Sequence, residues 1–121
     1  MPVAQAYAFA HRPENFPQWA AGLSESLHET DRGRVARTPT GETLVRFSPY
    51  NDFGILDHRV TLPDGKDISI PLRMIANGGA TDVIFALFRQ PGMDDVAFEN
   101  DAAMVRKDLE TLKALLESVA A

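Results

Sequence analysis

Asp57 and His58 set an acid beside an imidazole in a stretch, Phe53 to Leu62, that reads as one long strand. Neighbours on a strand face opposite ways, so the two cannot form a relay with each other. His58 shares its face with Leu56, Val60 and Leu62, an apolar set that aims it at the interior, while Asp57 goes with Ile55, Arg59 and Thr61 on the outer face. An interior histidine can act as general acid or base, or can hydrogen-bond a ligand carbonyl. The structural alternative is an imidazole held by a backbone or hydroxyl partner. Asp57 is expected to pair with Arg46 across the hairpin, near a diagonal cross-strand contact. Arg73 follows Pro71 and interrupts an otherwise apolar strand. It has two readings: a cation for a ligand carboxylate at a cavity mouth, or an outer-face side chain packed along its stem. Arg46 has the same two.

Other chemistries find less to work with. His11, His28 and His58 have no metal-ligand spacing, so no metal and no cofactor are expected. Asn77-Gly78-Gly79 joins two strands and reads as a turn, not as a phosphate loop at the start of a helix. There is no G-x-S-x-G elbow. Tyr50, Asn51 and Asp52 form a polar loop that could gate an opening or simply make a turn. Trp19 is a packing residue or part of a lid. Arg32, Arg34 and Arg37 cluster on one hairpin, a candidate anion patch. The whole chain, however, carries 12 Lys and Arg against 17 Asp and Glu, a net charge of -5, so nucleic acid is not an expected partner.

The 121 residues are enough for one domain, 1-121, that buries roughly two-thirds of the surface of its unfolded chain. Absence of cysteine excludes disulfides, thiolate nucleophiles and Cys-type metal sites. No apolar run approaches the roughly 20 residues of a membrane span, and Met1-Pro2 leads into no signal-peptide stretch. A cytoplasmic location is therefore expected.

The elements that must position these residues follow from periodicity. Val3, Ala6, Tyr7 and Ala10 recur at helical spacing. Pro13 and Pro17 then mark a break and a second short helix carrying Phe16, Trp19 and Ala20, which Gly22 can end. Six strands are expected after that: Leu27 to Thr30, Val35 to Thr38, Thr43 to Phe47, Phe53 to Leu62, Asp67 to Ala76 and Thr81 to Arg89. Their connections, among them Pro39-Thr40-Gly41 and Pro63-Asp64-Gly65, are too short for helical crossovers and predict an antiparallel meander. Asp94 can cap a last helix running to about Ala120. Phe98, Ala102, Val105, Leu109, Leu112, Leu116 and Val119 recur along it at alternating spacings of four and three, widened by Met104 and Leu115.

Several strands are apolar on both faces, as Ile68, Ile70, Leu72 and Met74 opposite Ile75, and Val83, Phe85 and Leu87 opposite Ile84 and Phe88 illustrate. A flat sheet under one helix would leave much of this wet. The expected class is α+β, a curved antiparallel sheet of about six strands wrapped around the C-terminal helix, with two short N-terminal helices over an end or edge. Curving a sheet around a helix leaves space that side chains do not always fill, and such a space is a pocket.

The stretch Pro2 to Leu23, PVAQAYAFAHRPENFPQWAAGL, resembles the helix–helix entry of the polyketide cyclase/START-like (SRPBCC) superfamily, and VRFSPYNDFGILDHRV, RMIANGGATDVIFALFRQPGMDD and DLETLKALLE are similar to a branch of its small uncharacterised members. The resemblance covers essentially the whole chain and implies the helix-grip fold. Proteins similar in this way hold hydrophobic ligands between sheet and helix, and some cyclise or dehydrate polyketide chains. A cone-shaped barrel of the ketosteroid-isomerase type also curves a sheet round a pocket, but it ends in strands and this chain ends in its longest helix. Members of the superfamily usually begin with a strand, for which only Met1-Pro2 remains here. Either that strand is lost, leaving a bare edge that a homodimer could cover, or the start lies further upstream.

The leading expectation is a small hydrophobic or aromatic ligand lined by Phe47, His58, Val60, Leu72, Met74 and Phe85 from the sheet and Val105 and Leu109 from the helix. The second is a cyclase or dehydratase with His58 as acid–base and Arg46 or Arg73 orienting a carbonyl or carboxylate. The third is an interaction protein with a filled core.

Overall fold

The computed structural model describes residues 1–20, 28–31, 33–38 and 41–120. Helix α1 (Val3–His11) leads through a 3₁₀ turn at Pro13–Asn15 into the short α2 (Phe16–Trp19). The break falls at Pro13, whose ring and missing N–H cannot continue an α-helix. The Phe9 carbonyl near the end of α1 accepts from the Arg12 N–H at 3.3 Å and from the Asn15 side-chain amide at 3.0 Å. Ala6, Tyr7 and Ala10 on α1 and Phe16, Trp19 and Ala20 around α2 are buried, as their spacing requires. The suggested cap at Gly22, the start of the first strand at Leu27, Arg32 and the Pro39-Thr40 turn lie outside the described residues, as does the side chain of Arg37. Arg34, the remaining member of that cluster, is half-buried.

The chain is α+β, with antiparallel sheets and a long C-terminal helix. Strands β1 (His28–Thr30), β2 (Gly33–Thr38), β3 (Gly41–Phe47), β4 (His58–Thr61) and β5 (Asp67–Ile70) form one sheet in chain order. Strands β6 (Leu72–Asn77) and β7 (Ala80–Phe85) form a separate hairpin. The expected single sheet of about six strands is thus corrected to five strands plus two, and the break falls at Pro71. His58 faces Ile70 and Ile55 faces Arg73 in one shared antiparallel register, so the ladder is aligned on both sides of the proline. The N–H that proline lacks falls on the β7 side, where the Pro71 carbonyl accepts from Ala86 N–H, and on the β4 side it is the Leu72 rung that changes. Leu56 N–H still donates to the Leu72 carbonyl at 2.8 Å, but Leu72 N–H turns to the Asp57 carboxylate at 3.0 Å.

The strand expected from Phe53 to Leu62 is likewise shorter, because Asn51 builds a turn ahead of it. Its Oδ1 accepts from the N–H groups of Phe53 (2.9 Å) and Ile55 (3.1 Å), and its Nδ2 donates to the Ile55 carbonyl at 2.9 Å. Tyr7 ties α1 to the same turn, donating to the Ile55 carbonyl at 3.0 Å and accepting from Asn51. The last strand stops at Phe85, although Ala86 N–H still reaches the Pro71 carbonyl at 2.9 Å.

Helix α3 (Asp95–Ala120) begins where the capping signal put it: Asp94 Oδ1 accepts from Ala97 N–H at 2.8 Å. Its main packing is on α2 and α1. Leu112 and Leu116 enter the core there, beside Ala6, Tyr7, Phe16, Trp19, Leu56, Leu72 and Met74. The rest of the stripe is less covered: Phe98, Ala102, Val105 and Leu109 are half-buried, and Val119 is exposed. The C-terminal half of α3 therefore anchors the helix, and the N-terminal half stands over a space.

Candidate functional site

That space is a cavity of about 600 Å³ between β4, β5, the chain from Phe85 to Phe88 and the first half of α3. Val60, Ile68 and Ile70 line it from the sheet, Phe85 and Leu87 from the far side, and Met104 and Val105 from the helix. Phe16 and Trp19 of α2 contribute to its wall. Alternation along β4 and β5 sends these apolar residues to one face and Arg59 to the other. Polar side chains of the lining include Lys66, Gln90, Asp101 and Asp108, and His58 is the buried one.

His58 is 6% exposed and packs its ring 5.2 Å from that of Phe47 and 5.8 Å from that of Phe16. Its Nδ1 lies 3.1 Å from the Leu56 carbonyl. A carbonyl only accepts, so Nδ1 carries the proton and Nε2 of the neutral ring is left as an acceptor. Burial holds the imidazole below its ordinary pKa, against a smaller opposing pull from the Leu56 carbonyl and Asp57. His58 is thus both a backbone-held histidine and part of the cavity wall.

Trp19 is 3% exposed, and its indole N–H is buried without an acceptor among the described residues. Packing and cavity wall are again one role.

The electrostatics of His58 give a stability prediction. Its folded pKa lies below 6.5, so as pH falls through 6.5 the unfolded chain takes up a proton before the native one does. Stability is therefore lost as pH falls from about 6.5 towards the depressed folded value. In His58→Phe that acid-side loss should be absent between those limits. Denaturant midpoints of both proteins at several pH values check this, and parallel profiles would contradict it.

Asp57 pairs with Arg73, which corrects the expected partner Arg46. Arg73 grips the carboxylate in a two-pronged contact, Nε to Oδ1 at 2.7 Å and Nη2 to Oδ2 at 2.6 Å. Both arginines are diagonal neighbours of Asp57, and the carboxylate turns to the Arg73 side, where the Leu72 N–H also donates to it. Arg73 above all holds the Asp57 carboxyl below its ordinary range, with help from the Leu72 N–H against the opposing effect of burial. Arg46 stands opposite Arg59 and comes within 3.9 Å of Asp67. Both Arg46 and Arg73 are on the outer face, because strand alternation puts them opposite the cavity residues; neither lines the cavity.

Of the other residues singled out, His58, Val60, Phe85 and Val105 come together in the lining. Phe47 backs the His58 ring, Leu72 is sealed in the core, and Leu109 is half-buried outside the lining. Met74 is also in the core and borders a second cavity of about 400 Å³ beside Tyr7, Tyr50 and Asn51. Sequence reasoning passed over Ile68, Ile70, Leu87 and the Met93 segment as lining. The face shared by Ile68, Ile70, Leu72 and Met74 was the available signal.

Among the described residues no helix is long and apolar enough to cross a membrane, and no three His, Asp or Glu side chains are grouped to hold a metal ion. No protein-family model matches this chain, and no curated protein matches it.

Proposed function

We propose that this domain is a helix-grip module of the polyketide cyclase/START-like kind, which holds a small hydrophobic or aromatic ligand between its antiparallel strands and α3. The observation that carries the reading is the cavity itself. Its volume, about 600 Å³, lies within the range of small-molecule sites, and one buried polar side chain interrupts its apolar wall. Anchoring α3 through Leu112 and Leu116 leaves Met104 and Val105 free to face a ligand instead of the sheet. The resemblance of the sequence to that superfamily points the same way.

A saturable titration with Nile red, excited in the visible where the protein is silent, tests this. The expected result is one-to-one uptake with a blue-shifted emission. A linear, unsaturable signal would overturn the reading.

The cyclase or dehydratase reading uses the same cavity. Neutral His58 with Nε2 open as an acceptor suits a general base. Asp57, the adjacent carboxylate, is committed to Arg73 on the opposite face and cannot orient it. Binding is therefore the better-supported function.

A further inference from the structure

The polar groups of the cavity have a definite sign and direction, and these limit what can occupy it. His58 spends its Nδ1 proton on the Leu56 carbonyl, and among the described residues Nε2 has no partner. Trp19, on the same wall, buries an indole N–H that has no acceptor among the described residues. The charged side chains of the lining are Lys66, Asp101 and Asp108. Lys66 has its ammonium 3.9 Å from the Asp64 carboxylate.

Resting on the cavity reading above, we infer that the site selects uncharged ligands bearing a hydroxyl or N–H donor, and that it discriminates against carboxylates. A neutral imidazole acceptor is completed by an O–H or N–H and repelled by a carboxylate, whose oxygens only accept. A carboxylate beside His58 would also give up water, and the cation of the lining, Lys66, already stands beside Asp64. A hydroxyl has the further advantage that its oxygen accepts, the one function that the Trp19 N–H lacks. Phenols and alcohols are thus preferred to the parent hydrocarbon, and the hydrocarbon to the acid.

The test is an amide chemical-shift titration of the full chain at neutral pH with naphthalene, beta-naphthol and beta-naphthoate, which share one ring system. The expected order is naphthol tightest, about three- to tenfold tighter than naphthalene, with naphthoate weakest. In His58→Phe, which keeps an aromatic ring at this position, the preference for naphthol over naphthalene should vanish. Naphthalene binding as tightly as naphthol, or naphthoate binding tightest, would overturn the selectivity and leave the cavity reading standing. So would a naphthol preference that survives in His58→Phe. Shifts with none of the three would overturn both. The comparison on the unaltered protein does not depend on the variant folding.

Discussion

Gly54→Ala is expected to cost this domain roughly 3 kcal/mol or more of stability. Gly54 has φ +70°, where an L side chain is strained, and a Cβ built there would lie 2.2 Å from the Met74 carbonyl oxygen. That neighbour is backbone, so it cannot rotate away. Relief would require moving the turn off β6, and with it the hydrogen bond from Met74 N–H to the Gly54 carbonyl at 2.9 Å. Ile55, which follows, is held by both Asn51 and Tyr7, so the displacement would reach α1. Gly78→Ala is the matched control. Its φ is +60°, yet a Cβ there meets nothing within 4 Å, so only backbone strain of about 1 kcal/mol applies. Thermal melts should show Gly54→Ala down by about 10 °C or more and Gly78→Ala by only a few degrees. Equal losses at the two glycines would refute the close packing of the turn on β6.

The second large effect is on binding. Val105→Trp should abolish saturable Nile red uptake, weakening it by about a hundredfold or more, with less than about 1 kcal/mol lost from the fold. Val105 is half-buried on α3, faces the cavity and lies outside the buried Leu112 and Leu116 anchor. An indole there can grow into empty volume instead of displacing packed neighbours, and tryptophan is tolerated in a helix. The ligand would have to compete with a covalently attached ring for the same space. Retained uptake with an unchanged melting temperature would place the dye elsewhere on the protein.

Much of the framework is legible in the residues. The alternating four-three spacing from Phe98 to Val119 and the aspartate at 94 define α3 to within a residue, because an amphipathic helix of this length has no competing local structure. Alternation from Leu56 to Val60 likewise placed His58 inside and Asp57 outside. What escaped was decided by tertiary contact. Ile68, Ile70, Leu72 and Met74 are equivalent by alternation, yet the first two line the cavity and the last two enter the core. The difference is what stands above them, and periodicity on one strand says nothing of that. Asp57 had two arginines within diagonal reach, and the carboxylate went to the side where the Leu72 N–H also donates to it. The Tyr50–Asp52 loop was open between gate and turn. Asn51 answers for the turn, since both ends of its side-chain amide are bound to backbone within four residues.

The central claim is that the space beneath α3 is a ligand chamber. Native mass spectrometry of protein taken directly from cells, beside the denatured mass of the same sample, tests it most directly. The account predicts a native mass exceeding the denatured chain by that of one small molecule, released on unfolding. A native mass equal to the bare chain, in protein that also takes up neither beta-naphthol nor Nile red, would contradict it.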